Sequence, residues 1–187
     1  MRNIVGILLL LMACAGPKPL PHPSASVDGF TTWQTGHDAQ TVQRIPATGT
    51  NALVQRSDST WMQVKFNVRE YGEVSFPLAN TPPDVEAPGV DLSGSKTIRI
   101  TYKANQALLV QLRQTGVHGG IQNHIELPAS AQRTTVTVPF TQFTGGLKPL
   151  DLTDVAKFNF AFLSNNVAAG YAELFVYNVV IDHYTAP

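Results

Sequence analysis

In the run LLVQLRQTGVHGGIQNHIELP, residues 108–128, amides, a guanidinium, an imidazole and a carboxylate alternate with apolar side chains. The pattern reads as two strands around the loop Gly116-Val117-His118-Gly119-Gly120. The first arm must bury Leu108, Val110 and Leu112, and the second Ile121, Ile125 and Leu127, with Asn123 tolerated among them. Facing residues of an antiparallel pair point the same way, so the apolar rows coincide only if Leu112 lies near Asn123 and Val110 near Ile125. That register gathers Leu109, Gln111 and Arg113 on the opposite face, beside Glu126, His124 and Gln122. The chemistry of such a patch suits a hydroxyl-rich ligand. Hydroxyls donate and accept, amides answer both, Arg supplies a planar donor fork and Glu accepts.

Sugar C–H faces also need a flat apolar platform. Trp61 and Tyr71 are the leading candidates, with Trp33 and Tyr184 behind them, all read as lying on non-core faces. Gln63 and Lys65 share a face with Trp61 and extend the groove if their strand joins the sheet that carries Arg113. The competing reading is a solvated outer face, which any antiparallel strand with one side in water shows. Arg113 and Glu126 would then form a surface ion pair worth under about 1 kcal/mol. Solvated strands favour Thr, Ser and Lys, whereas this row carries Gln, Arg and His.

Catalysis finds little support. A glycosidase needs two carboxyl groups flanking a cleft, and nothing in the spacing of Glu73, Glu126 and Glu173 pairs them. There is no GxSxG elbow and no HExxH. His118 and His124 lack an evident third metal ligand. The chain is read as a non-enzyme.

The start, MRNIVGILLLLMACAGPKP, has one cation and a short apolar run, residues 4–12, too short for a stable membrane span. Leu11-Met12-Ala13-Cys14 resembles the lipobox of bacterial lipoproteins, which implies that Cys14 is lipidated and becomes the mature N-terminus. Ala15 is not the aspartate that resembles an inner-membrane retention signal. The expected address is therefore exported and lipid-anchored, at the outer membrane or cell surface of a bacterium. Residues 1–13 read as signal peptide and 14–26, with four prolines, as an extended tether. Residues 27–187 remain as one domain. The whole chain has zero formal net charge and 14% of its residues are charged, which leaves no electrostatic footprint for nucleic acid. The membrane is met through the anchor alone.

Within the domain, short alternating or fully apolar runs recur between turn residues. TWMQVKFNV presents Met62, Val64, Phe66 and Val68, and EVSFPL presents Val74, Phe76 and Leu78. A turn around Arg69, Glu70 and Tyr71 is expected to pair these two as a hairpin. KTIRITYKA, TTVTVPF and FNFAFL follow the same rule, and YAELFVYNVVID, apolar on nearly both faces, reads as a central strand. No sustained helical period occurs beyond the leader, and NTPPDVEAPGVDLSG must be loop. The fold class is all-β, a two-sheet antiparallel β-sandwich of jelly-roll type.

The order VDLSGSKTIRITYKANQALLVQLRQ, RTTVTVPFTQF, LDLTDVAKFNFAF and AELFVYNVVID resembles the galactose-binding-like jelly rolls. It is similar to family 11 carbohydrate-binding modules and the complex I intermediate-associated family. The resemblance implies a non-catalytic binder of a neutral, β-glucan-like polysaccharide, and the faces read above supply Gln111, Arg113, Gln122, His124, Glu126, Gln63, Trp61 and Tyr71 as its expected ligand-binding residues. It also implies a structural calcium held in part by Asp28 and Asp182, although the usual acidic opening is reduced here to Asp28-Gly29-Phe30. The alternative from another class is a cell-envelope interaction or assembly module whose same face meets a protein partner.

Overall fold

The computed structural model describes residues 33–46, 53–56, 59–82, 85–117, 121–167 and 170–184. Cys14, the tether and Asp28 lie outside the described residues, as do His118 and its two following glycines.

The period-2 runs form eleven strands: β1 (Gln34–His37), β2 (Val42–Ile45), β3 (Leu53–Arg56), β4 (Ser59–Asn67), β5 (Tyr71–Pro77), β6 (Thr97–Ala104), β7 (Leu108–Gln114), β8 (Asn123–Leu127), β9 (Ser130–Pro139), β10 (Val155–Leu163) and β11 (Ala172–Ile181). Five make one antiparallel sheet in the order β1-β5-β10-β7-β8. The other six make the second, in the order β2-β4-β11-β6-β9 with β3 beside β4. The only helical element among the described residues is a 3-10 turn, Phe140–Gln142.

Each strand presents its apolar row to the space between the sheets. Met62, Val64 and Phe66 of β4, Ile98 and Ile100 of β6, and Leu174 and Val176 of β11 meet Val74 and Phe76 of β5, Phe158, Phe160 and Phe162 of β10, and Leu108, Val110 and Leu112 of β7. Phe76 stacks on Phe158 with centroids 5.0 Å apart, and Phe160 stands edge-on to both. Each such fully buried ring or aliphatic side chain contributes about 1.5–3 kcal/mol.

The expected β4–β5 hairpin does not form. Val68, Arg69 and Glu70 instead carry the chain from one sheet to the other, so β4 pairs with β2, β3 and β11 while β5 pairs with β1 and β10. The two apolar rows do meet, but across the core rather than side by side. Gly72 shows the contact: a Cβ there would lie 2.7 Å from Cγ of Phe66, so the residue opposite that ring has to be glycine.

Two aromatics expected on outer faces belong to the core. Trp33 is buried against Phe76 at 6.3 Å. Tyr184 is also buried, with its hydroxyl donating to the Leu78 carbonyl. Conversely, β11 is central, flanked by β4 and β6, as its doubly apolar sequence requires.

Candidate functional site

The β7–β8 hairpin has the register that burial of its apolar rows demands. Leu112 faces Asn123, Val110 faces Ile125 and Leu108 faces Leu127, which leaves Gln111 opposite His124 and Leu109 opposite Glu126 on the outer face. One detail differs. Ladder pairing ends at Asn123, so Ile121 falls beyond the alternation and is 57% exposed instead of buried. Asn123 is buried and satisfied, donating to the Lys148 carbonyl and accepting from the Gly146 N–H.

Sheet order then adds residues from distant parts of the chain. On the β10 side of β7, Asn159 pairs with Gln111, Lys157 with Arg113 and Ala161 with Leu109. On the far side of β10, Ser75 pairs with Asn159, Glu73 with Ala161 and Tyr71 with Leu163. Ala161 is small between its row neighbours Glu73 and Leu109, and the space above it becomes a depression of about 500 Å³. Glu70, Tyr71, Glu73, Gln111, Arg113, Gln122, Asn159, Ala161 and Leu163 line it.

The electrostatics of this depression are uneven. Burial pushes the Glu73 carboxyl above its ordinary value, against the opposing pull of Lys157, Arg113 and the Asn159 amide. Burial and the neighbouring Arg113 push the Lys157 amine down, against Glu73 and Glu86. Asn159 Nδ2 donates to Glu73 Oε2 at 3.4 Å, while Asn159 Oδ1 is buried without a partner. An acceptor in that state costs about 1–3 kcal/mol until a water or a ligand hydroxyl donates to it. Arg113 is held from behind by its Nε donating to the Val117 carbonyl at 3.1 Å.

Tyr71, 37% exposed, supplies the aromatic surface. Its backbone is fixed by Asp38, in the loop between β1 and β2. Asp38 Oδ2 accepts the N–H groups of Glu70 and Tyr71, each at 3.0 Å, and Oδ1 accepts those of Gln40 and Thr41. Burial alone would raise this carboxyl, but the Thr41 hydroxyl and these backbone donors hold it well below the usual carboxylate range.

Of the residues singled out in the sequence, Gln111, Arg113, Gln122 and Tyr71 meet around the depression. His124 shares the face through its pairing with Gln111, and its Nδ1 is engaged with the Gln122 carbonyl at 2.8 Å. Glu126 lies towards the far end, where Asn166 donates to it at 3.4 Å. Four residues of strand separate its row from that of Arg113, about 13 Å, so these two form no ion pair.

Trp61 and Gln63 require correction. They sit on β4 in the six-stranded sheet, where Trp61 contacts Tyr177 and Gln63 donates to Glu173, so they cannot share a groove with Arg113. Glu73, Asn159 and Asp38 were missed as site residues. The signal for the first two was present: Asn159 alternates with Phe158 and Phe160, and Glu73 precedes Val74, so both had to face away from the core.

Asp182, expected to share a calcium with Asp28, is seen here without that companion, because Asp28 lies outside the described residues. The Asp182 carboxylate accepts the N–H groups of Lys96 and Thr97 and the Thr97 hydroxyl. Among the described residues no group of three or more His, Cys, Asp or Glu converges as metal ligands.

No family model and no curated protein matches this chain by sequence. Solved structures do match by shape. A family 11 carbohydrate-binding module of the cellulosomal cellulase Lic26A-Cel5E of Clostridium thermocellum superposes with a TM-score of 0.59 at 16% identity, covering 86% of this chain and 95% of that one. The family 11 module from Clostridium thermocellum in complex with a β-1,3-1,4-mixed-linked tetrasaccharide gives 0.60 at 17% identity, covering 88% and 98%. At these identities the likeness establishes the fold: a jelly-roll sandwich of the kind found in carbohydrate-binding modules.

Proposed function

We propose that this chain is a non-catalytic carbohydrate-binding protein that holds a neutral, β-glucan-like polysaccharide on the outer face of its five-stranded sheet. The observation that carries the reading is the depression between β5, β10 and β7. Carboxylate, guanidinium and amide groups line it together with one aromatic ring. Sugar hydroxyls would donate to Glu73 and to the amide oxygen of Gln111, and accept from Arg113 and Gln122. A pyranose face would lie on Tyr71. The solved module of similar fold that carries a mixed-linked β-glucan tetrasaccharide supports this ligand class. Cys14, lipidated at the end of the leader, would tether the domain to the bacterial surface, where such polymers are met.

Affinity electrophoresis and calorimetry against a panel of plant and bacterial polysaccharides test the reading. Binding of at least one β-glucan is expected, weakened at least tenfold by Gln111→Ala with Arg113→Ala, because two lost hydrogen bonds of about 1 kcal/mol or more each reach that factor. Indifference to every glycan, or binding untouched by the double substitution, overturns it. Co-purification of a stoichiometric protein partner through the same face would replace it with the envelope-interaction alternative.

A further inference from the structure

The six-stranded sheet differs in charge from its partner. Among the described side chains its strands carry five basic residues, Arg44, Lys65, Arg99, Lys103 and Arg133, against one acid, Glu173. The strands of the five-stranded sheet balance Arg113 and Lys157 with Glu73 and Glu126. A chain of zero formal net charge has therefore concentrated positive charge on one sheet.

The outer face of that sheet also carries an aromatic strip. Trp61 and Tyr177 lie 6.0 Å apart, and Phe175 stacks near-parallel on Tyr177 at 6.4 Å. Arg133 sits 4.6 Å over Tyr177, Lys103 5.4 Å over Phe175 and Lys65 4.9 Å over Tyr171. A bulge helps to build the strip. The β11–β6 ladder shifts between Val176 and Asn178, so Tyr177 and Asn178 both turn outward, and Asn178 Oδ1 is left buried without a partner. Further along the same face, Thr97, Arg99, Thr137, Val180 and Asp182 line a depression of about 300 Å³.

We propose that this face is a second binding site, for an acidic polysaccharide of uronate type. Rings spaced along a strip offer platforms for sugar C–H faces, and the cations beside them match carboxylates carried on the sugars. A neutral chain would have to displace the cations from the rings with nothing to compensate them. A polyuronate draws them to the ring edges and pairs with them there. The Thr137 hydroxyl beside Arg99 meets sugar hydroxyls as donor or acceptor. An anionic bilayer fits less well, because its insertion needs protruding apolar groups, and only Tyr171 among these rings is broadly exposed, at 40%.

Affinity electrophoresis of the intact protein in gels containing polygalacturonate tests the site. Retardation is expected, weakened at least tenfold by Lys103→Ala with Arg133→Ala and weakened again by Tyr177→Leu, which keeps both cations. Circular dichroism and thermal melting would confirm that the variants fold. Binding of β-glucan is expected to be unchanged in these variants, and Gln111→Ala with Arg113→Ala is expected to leave polygalacturonate binding intact, so the two faces fail separately. The proposal is overturned by the absence of retardation, or by retardation that ignores the paired substitution or Tyr177→Leu. Equal retention by dextran sulfate, which would signal charge alone, overturns it as well. So does capture by phosphatidylglycerol vesicles without any by polygalacturonate.

Discussion

Asp38 Oδ2 accepts the backbone N–H of Tyr71 at 3.0 Å, and so a loop residue between β1 and β2 fixes where the aromatic platform of the depression stands. The same oxygen takes the N–H of Glu70, the other residue at the point where the chain passes from one sheet to the next. Sequence distance hides the link, because 33 residues separate acceptor and donor.

Asp38→Ala removes four backbone donors' partner at once and frees the start of β5. Lower thermal stability and a several-fold loss of β-glucan affinity are expected, read by melting and calorimetry. Asp38→Asn should recover part of both, since an amide oxygen still accepts.

The same carboxyl shapes the acid limb of stability. Its folded value lies below the ordinary 3.8, so its contribution is present above 3.8 and lost as pH falls from there towards the depressed folded value. Thermal melting across that range should show a steeper decline for the parent protein than for Asp38→Asn.

Glu73 works in the opposite direction. Burial raises its carboxyl, so the proton is held to higher pH than on an ordinary glutamate, and its contribution to stability declines as pH rises through the folded value. Sugar hydroxyls donate to the carboxylate, so ligand favours deprotonation. Affinity for β-glucan should increase as pH rises from the ordinary glutamate range through the raised folded value. Glu73→Gln should flatten the calorimetric profile, and an unchanged slope would remove Glu73 from the binding face.

Tyr71 and Trp61 separate the two faces. Tyr71→Ala should weaken β-glucan binding by roughly 1–2 kcal/mol, the loss of one stacking platform. Trp61→Ala, on the opposite sheet, should leave it unchanged in the same titration.

Gly72 tests the crossing itself. Gly72→Ala drives a methyl to within 2.7 Å of the Phe66 ring and should destabilise the sandwich by about 1–3 kcal/mol in urea unfolding. Gly94→Ala, with nothing within 4 Å of the added carbon, is the matched control and should lie within about 0.5 kcal/mol of the parent.

The sequence by itself determined the strands from β4 onward, which side of each faces the core, and the register of the β7–β8 hairpin. Period-2 alternation carries all three, because burying Leu112 with Val110 and Ile125 leaves Gln111 no partner but His124. Alternation is silent about which sheet a strand joins. An outward row looks the same on either side of a sandwich, so Trp61 and Gln63 could be grouped with Arg113 although the core lies between them. The tertiary structure decided that grouping through long-range pairing. It placed β10 between β5 and β7, set Asn159 beside Gln111, and brought Glu73 onto Asn159 at the rim of the same depression. The site is a property of sheet order, and sheet order is fixed by how the apolar rows of distant strands fill one common core.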